Sequence, residues 1–176
     1  MIFIHDTRDV KGKHKILEEW MEREGHTLIR SKMYVGDIAL LHDQSVCVDL
    51  KSLGLTEVYN NLVQSHTRFR NECIKAQEAN IKLIVLVEQP GIYYLEDVKL
   101  WENPQRKRWD KKHLYNQWLV SRGKEPVPES KPPVPSERLA GMMDAMNIKY
   151  GVEWKFCHPA DVGENVYRIL CERRNE

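Results

Sequence analysis

The feature that most constrains the fold is the run IKLIVLVE at residues 81–88. Nearly all of its side chains are apolar, which is typical of a β-strand buried on both faces of a sheet. Such a strand needs neighbouring strands on either side and a layer of helices above and below. The run therefore predicts the interior of an α/β sheet.

The segments around this run alternate between patterns typical of strands and of helices. Strands are predicted at 2–5, 27–30 and 152–157, and helices at 13–24, 56–79, 137–149 and after Asp161, with Ser136 and Asp161 as helix caps. Residues 33–51 predict a β-hairpin whose turn lies at 42–44. Because a hairpin pairs antiparallel strands, we expect a mixed sheet.

The predicted hairpin carries the polar side chains that indicate chemistry. On its second arm Val48 and Leu50 share one face, and Asp49 and Lys51 lie on the other, because side chains alternate along a strand. A turn with an odd number of residues would place Asp37 opposite Asp49, with their Cβ atoms about 5 Å apart. Two carboxylates so close favour a bound divalent cation, for which oxygen is the preferred ligand.

Lys51 would add positive charge to that site, where it can stabilise the transition state of phosphodiester hydrolysis. The same three residues also fit a structure without a site, in which Asp37 is a turn residue and Asp49 and Lys51 lie on a solvated edge strand. A motif this short is common in unrelated sequences. The order of further motifs along the chain helps to separate these interpretations.

Three motifs follow one another: Asp6-Thr7-Arg8-Asp9 after the first strand, Val35-Gly36-Asp37-Ile38, and Val48-Asp49-Leu50-Lys51-Ser52. Arg68 follows in the next helix, and Glu88 ends the buried run. In this order the chain resembles the XPF/ERCC4-type nuclease domain, a branch of the PD-(D/E)XK nuclease superfamily. The resemblance covers most of the chain except residues 100–135.

The resemblance implies a restriction-endonuclease-like α/β/α fold of three layers around a central mixed sheet, formed by residues 1–176 as a single domain. It implies a metal-dependent DNA endonuclease, acting on branched or junction DNA, and a homodimer. A catalytically silent nuclease-like domain that binds nucleic acid or protein is the alternative, and an RNA nuclease on the same fold is a third. Retention of the two aspartates and the lysine favours the enzyme.

The resemblance also implies a role for each motif residue. Asp37 and Asp49 would bind Mg²⁺ or Mn²⁺, and Lys51 would stabilise the attacking water or the developing charge. Asp6 and Arg8 would line the same cleft, Asp6 near the metal and Arg8 on a carboxylate or phosphate; a structural salt bridge is the alternative for both.

Arg68 would contact nucleic acid in the family pattern, or lie on a solvated helix face. The chain departs from that pattern at several positions, and the aspartate that follows the lysine motif is absent from 53–55. Asp49 and Asp9 replace glutamates, Leu50 replaces an arginine, and Glu72 stands at the position of a helix glutamine. Despite these departures we expect enzymatic activity. The departures affect the substrate preference that the resemblance implies.

Residues 100–135, here called the insertion, interrupt the α/β pattern. Five of the eight prolines lie between 126 and 135, and residues 106–120 predict a basic amphipathic helix. Its cations and interleaved rings can follow a phosphate backbone and stack on unpaired bases. The candidate contacts are Arg106, Lys107, Arg108, Trp109, Lys111 and Lys112, and Tyr115 and Trp118 are further rings of the same pattern. Alternatively, an apolar stripe packs the helix on the core or on a second subunit: Leu114, Tyr115, Trp118 and Leu119.

The charge balance of the chain excludes a uniformly basic nucleic-acid coat and an acidic tail, because 27 Lys and Arg face 26 Asp and Glu. The insertion, however, carries eight basic and four acidic side chains. The four cysteines form no Cys-x-x-Cys pair, which indicates reduced thiols and no zinc knuckle. With no signal peptide and no apolar run of about 20 residues, we expect a soluble, cytoplasmic protein without membrane contact.

Overall fold

The computed structural model describes residues 1–10 and 12–172. The strands are β1 (Ile2–Asp6), β2 (Thr27–Ser31), β3 (Ile38–Leu40), β4 (Asp43–Lys51), β5 (Lys82–Glu88) and β6 (Glu153–Cys157). The α-helices are α1 (Lys15–Arg23), α2 (Leu55–Tyr59), α3 (His66–Glu78), α4 (Pro104–Ser121), α5 (Ser136–Tyr150) and α6 (Val162–Cys171). A π-helical turn (Asn60–Gln64) and 3₁₀ turns (Leu95–Leu100 and Pro159–Asp161) complete the regular structure of these residues.

The six strands form one mixed sheet in the order β2-β1-β3-β4-β5-β6. β3 pairs antiparallel with both of its neighbours, and the other pairs are parallel. β5 lies between β4 and β6, and residues 83–88 are all buried, as the apolar run predicted. Because β1 and β4 each run antiparallel to β3, they run parallel to each other, and their carboxyl ends meet at one edge of the sheet.

Helices cover both faces of the sheet, which confirms the three-layer fold. Val85 and Val87 of β5 belong to a core that includes side chains of α2, α3 and α5. Ile84 and Leu86 point the other way, into a core with side chains of α1 and α6. Alternation along a strand therefore assigns neighbouring residues of β5 to different cores.

The long helix predicted at 56–79 is divided. Between α2 and α3 the backbone N–H of Ser65 donates to the carbonyl of Asn60 at 2.9 Å, five residues earlier, as in a π-turn. One wide turn rotates the apolar face of a helix by less than the width of that face. Hydrophobic periodicity therefore does not reveal the turn. His66, the first residue of α3, is exposed, whereas the helical period of the sequence predicts it on the apolar face.

Two further boundaries differ from the sequence prediction. The first arm of the hairpin becomes a strand only at Ile38, and residues 33–37 form the approach to it. Ser136 is the first residue of α5 and not its cap, because its hydroxyl donates to the carbonyl of Trp101. The contact holds the start of α5 against the end of the preceding 3₁₀ turn.

The insertion folds as α4 followed by an irregular proline-rich segment, 122–135. The apolar stripe predicted for this helix is only in part a packing surface. Leu119 is 7% exposed, whereas Leu114, Tyr115 and Trp118 are between 47% and 64% exposed. These three side chains do not pack on the core of this chain, because the proline-rich segment covers a different face of α4. Packing of the stripe on a second subunit stays a prediction.

None of the helices within 1–10 and 12–172 combines the length and the apolar character that crossing a membrane would require.

Candidate active site

The charged motifs of the sequence meet in one cleft at the edge of the sheet where β1 and β4 end. The motif around Arg8 follows β1, Asp49 and Lys51 end β4, and Asp37 directly precedes β3. The cleft has a volume of about 460 Å³. Its lining residues are Arg8, Asp9, Lys13, Tyr34, Asp37, Asp49, Lys51, Glu57, Arg68, Asn71, Glu72 and Lys75.

Asp49 and Lys51 form a buried ion pair on the cleft floor. Lys51 Nζ donates to Asp49 Oδ1 at 2.7 Å, and both side chains are less than 10% exposed. Burial acts to lower the pKa of Lys51, but the nearby Asp49 and Asp37 outweigh it and raise that pKa above its ordinary value. The ammonium group therefore stays charged at neutral pH.

The second oxygen of Asp49 is in a different position. Oδ2 is buried and accepts no hydrogen bond from the residues that the structure describes. A buried carboxylate oxygen without a partner costs about 1 to 3 kcal/mol. Such an oxygen, beside a second carboxylate, is a ligand position for a hard cation.

Asp37 is placed by the glycine before it. Gly36 has a φ of +69°, and a Cβ there would lie 3.1 Å from both the Cβ of Cys47 and the carbonyl oxygen of Val48. Its N–H donates to Glu72 Oε1 of α3 at 3.1 Å. Only glycine meets both the left-handed conformation and the close approach, so the Gly-Asp motif has a local structural cause.

The carboxylate of Asp37 then points into the cleft beside β4. Its Oδ2 accepts a hydrogen bond from the N–H of Leu50 at 2.7 Å, and its own N–H donates to the carbonyl of Val48. Burial and then repulsion from Asp49 raise the pKa of Asp37 well above its ordinary value. The structure thus brings Asp37 and Asp49 together, as the hairpin predicts.

Glu72 adds a third carboxyl group to this part of the cleft. Burial and repulsion from Asp49 raise its pKa as well. Buried Asp49 and half-buried Asp37 and Glu72 outnumber the buried Lys51, and a bound cation would neutralise the excess of acidic groups. The donor set is entirely oxygen, which suits Mg²⁺ or Mn²⁺.

Asp6 and Arg8 form a salt bridge at the end of β1. The buried carboxylate of Asp6 accepts from the backbone N–H of Arg8 at 2.8 Å, from its Nε at 2.7 Å, and also from its Nη2. Arg8 lines the cleft, whereas Asp6 lies behind it. The carboxylate of Asp6 thus orients Arg8, which is the salt-bridge alternative of the sequence prediction; a place for Asp6 near a metal stays a prediction.

A cluster of His5, Asp9 and His14 lies beside the cleft and was missed by sequence reasoning. Asp9 Oδ2 is 3.1 Å from His14 Nε2 and 3.5 Å from His5 Nε2, and Asp9 Oδ1 is 3.1 Å from Lys13 Nζ. Burial acts to raise the pKa of Asp9, but the hydrogen bonds from His14, His5 and Lys13 bring it far below its ordinary value. The spacing of two histidines around the aspartate was the available signal.

These three side chains are close enough together to be tested as metal ligands. Arg30 Nη1 lies 3.1 Å from His5 Nδ1, and a guanidinium can only donate. Neutral His5 therefore carries its proton on Nε2, the atom that faces Asp9. In this arrangement the cluster is a hydrogen-bonded network that holds Asp9.

The predicted nucleic-acid contacts fall in two places. Arg68 is exposed on α3 and lines the cleft. The six candidates of the insertion lie on α4, and none of them is among the cleft-lining residues. Arg106, Lys107 and Trp109 are engaged within the chain, whereas Arg108, Lys111 and Lys112 are exposed.

Comparison with known proteins gives structural matches alone. No family model and no curated protein sequence matches the chain. A structure of XPF from Aeropyrum pernix matches with a TM-score of 0.62 at 15% identity, covering 100% of this chain and 66% of that one. A second structure, XPF from Aeropyrum pernix in complex with DNA, matches with a TM-score of 0.59 at 15% identity, covering 99% and 65%.

The chain thus spans about two thirds of the length of the XPF structures that it matches. The similarity extends over the whole chain, including the sheet and its helices on both faces. It confirms the fold that the sequence motifs imply, that of an XPF/ERCC4-type nuclease domain.

Proposed function

We propose that this protein is a divalent-metal-dependent nuclease that hydrolyses phosphodiester bonds in DNA. The observation that carries the proposal is the buried, unpartnered Oδ2 of Asp49 among the described residues, with Asp37 beside it and Lys51 on its other oxygen. The fold of XPF supports a nuclease, and the DNA complex of one matched structure supports DNA as the substrate.

Asp37 and Asp49 would hold the cation, because both supply carboxylate oxygens. Lys51 pairs with Asp49 alone and so does not neutralise both groups. When bound, Mg²⁺ or Mn²⁺ would lower the pKa of a water molecule and neutralise charge on the scissile phosphate. The proposal assigns no coordination geometry beyond these two side chains.

Lys51 supplies the fixed positive charge of the reaction. An ammonium group has three N–H donors, and one of them binds Asp49. Another can bind the attacking water or the phosphate oxygen on which negative charge develops. Because the site is buried, a charge held in place there stabilises the transition state more strongly than it would in water.

Substrate positioning falls to the cations at the mouth of the cleft. Arg8, held by Asp6, presents a permanently charged guanidinium to a phosphate. Arg68 and Lys75 of α3 line the same cleft and can contact flanking phosphates. In hydrolysis the water oxygen bonds to phosphorus, the bond to the leaving oxygen breaks, and that oxygen takes up a proton.

The test compares the wild-type protein with Asp49→Asn and Lys51→Ala on linear, flap, fork and four-way-junction DNA. We expect cutting with Mg²⁺ or Mn²⁺, none with EDTA, and at least about a 100-fold lower rate in both variants. Asp144→Asn, on an exposed position of α5, is the matched control and should cut like the wild type.

Two outcomes contradict the proposal. One is a wild-type protein that cuts no substrate with either metal, and the other is an Asp49→Asn variant that cuts as fast as the wild type. DNA binding without cutting would indicate the silent binding module, and cutting of RNA alone would indicate the RNA nuclease. A rate that is highest on one of the branched substrates would identify its preferred DNA structure.

A further inference from the structure

The α4 helix has two faces with different surroundings. The proline-rich segment covers one face through four hydrogen-bonded or ion-paired side chains of the helix. The contacts are Trp109 Nε1 to Ser130 O at 2.8 Å, Asn116 with the backbone of Val127 at 2.9 Å, His113 with Glu129 at 2.9 Å, and Arg106 to Pro133 O at 3.3 Å. This face is occupied within the chain.

The opposite face carries a continuous exposed stripe. Lys111, Tyr115, Trp118 and Arg122 follow the spacing i, i+4, i+7 and i+11, which places them on one side of a helix. All four are exposed, with Tyr115 at 52% and Trp118 at 47%. We call these four residues the α4 stripe.

The two rings of the α4 stripe are about half exposed, lie near-parallel to each other and are flanked by cations. Their planes differ by 19° and their centroids lie 5.9 Å apart. Arg122 Cζ lies 5.6 Å from the centroid of the Trp118 ring, and Lys124 Nζ lies 5.9 Å from it. Lys111 precedes Tyr115 by one turn of the helix.

We propose that the α4 stripe binds single-stranded nucleic acid, with unpaired bases stacked on Tyr115 and Trp118 and phosphates paired with Lys111, Arg122 and Lys124. Aromatic faces bind bases that are not already stacked, and flanking cations follow a phosphate backbone. The insertion is the most basic part of the chain, with eight basic and four acidic side chains, so its charge is complementary to a polyanion. The cores of protein interfaces, by contrast, are depleted in lysine.

This inference rests on the nucleic-acid ligand of the proposed function but not on cleavage. The α4 stripe would bind the single-stranded part of a substrate, and the cleft would hold the phosphodiester bond that is cut. Arg106 and Trp109, two of the contacts predicted on this helix, lie on the covered face and are not part of the stripe.

The experiment measures the Kd of the full chain for a fluorescein-labelled dT15 strand by anisotropy, in EDTA so that nothing is cut. Trp118→Ala and Tyr115→Ala should each weaken binding by about 5- to 100-fold, the effect of losing one base-stacking ring. Tyr93→Ala removes a still more exposed ring, 72% exposed and outside α4, and should leave the Kd within twofold. Binding to a blunt 15-base-pair duplex should change less than twofold in all three variants.

Circular dichroism and thermal unfolding should match the wild type, because both rings are exposed. Unchanged dT15 binding in Tyr115→Ala and Trp118→Ala overturns the inference. So does a loss of self-association in sedimentation with dT15 binding intact, which would make the stripe a protein interface. A wild-type protein that binds dT15 through the stripe but cuts nothing supports this inference and refutes cleavage, so the two proposals fail separately.

Discussion

The cleft and the α4 stripe both carry charge, but they hold it in opposite environments. In the cleft, Asp49 and Lys51 are less than 10% exposed and paired at 2.7 Å. On α4, Lys111 and Arg122 lie in solvent beside exposed rings. Electrostatic interactions are strong and weakly screened where water is excluded, and weak and salt-sensitive where it is not.

This difference separates two tasks. A buried site can stabilise a transition state, but a missing partner there leaves an uncompensated charge at a high cost in free energy. A surface stripe adds many small contributions, any of which can be lost without unfolding the protein. We therefore expect substitutions in the cleft to be severe and to affect stability, and substitutions on α4 to be graded and to affect binding alone.

The largest effect is expected from breaking the buried ion pair. Lys51→Met leaves the charge of Asp49 without its partner and should lower the free energy of unfolding by about 3 to 5 kcal/mol in EDTA. Urea unfolding measures the change. Lys111→Met, the same substitution on the α4 stripe, should change it by less than about 0.5 kcal/mol.

A double variant sharpens this comparison. Lys51→Met combined with Asp49→Leu removes both charges and should recover most of the stability lost in Lys51→Met. Equal unfolding free energies for Lys51→Met and Lys111→Met would mean that the cleft does not bury its charges as described.

A smaller effect of opposite sign is expected at Asp37. Asp37→Asn removes a carboxylate whose pKa is raised by burial and by Asp49, and its amide oxygen can still accept from the Leu50 N–H. The metal-free protein should become more stable, by on the order of 1 kcal/mol, while cleavage is lost. Asp144→Asn should change neither quantity.

Added Mg²⁺ supplies the second half of this test. It should raise the melting temperature of the wild type, because a ligand that binds only the folded state stabilises it. In Asp37→Asn that shift should shrink or vanish. An Asp37→Asn protein that is less stable than the wild type in EDTA would show that the carboxylates of the cleft do not repel each other.

The smallest effect is expected on the salt dependence of binding to dT15. Lys111→Gln with Arg122→Gln removes two phosphate contacts and should reduce the slope of log K against log salt by about 1.4 for a single strand. Anisotropy titrations between 50 and 200 mM NaCl measure the slope, with Asp144→Asn as the control. A slope equal to that of the wild type would mean that these cations do not contact the phosphates.

Sequence patterns anticipated the parts of the molecule in which neighbours in the chain decide the structure. The apolar run 81–88 became β5 because an uninterrupted apolar strand can be stable only between two layers. The alternation along β4 placed Asp49 and Lys51 on the same face, where they form their ion pair. The conformation of Gly36 likewise explains the presence of Asp37 at the cleft.

Long-range contacts decided what the patterns missed. Asp6 carries the same carboxylate as Asp37, yet it accepts hydrogen bonds from Arg8 and does not line the cleft that Asp37 and Asp49, distant in the sequence, share. His5 and His14 meet Asp9 only after α1 folds onto the sheet. The apolar residues of α4 gave no sign of which side the proline-rich segment would cover.

By itself, the sequence of this protein determined the α/β class and the mixed sheet, because an uninterrupted apolar strand needs a layer on each face and a hairpin pairs antiparallel strands. The two-residue repeat of a strand placed Asp49 and Lys51 on one face. The tertiary structure alone decided that β1 and β4 end at the same edge, that Asp49 Oδ2 is buried among the described residues without a partner, and that Tyr115 and Trp118 face solvent. Burial is a property of the whole packed chain, and the strength of a charge or the availability of a ring depends on burial.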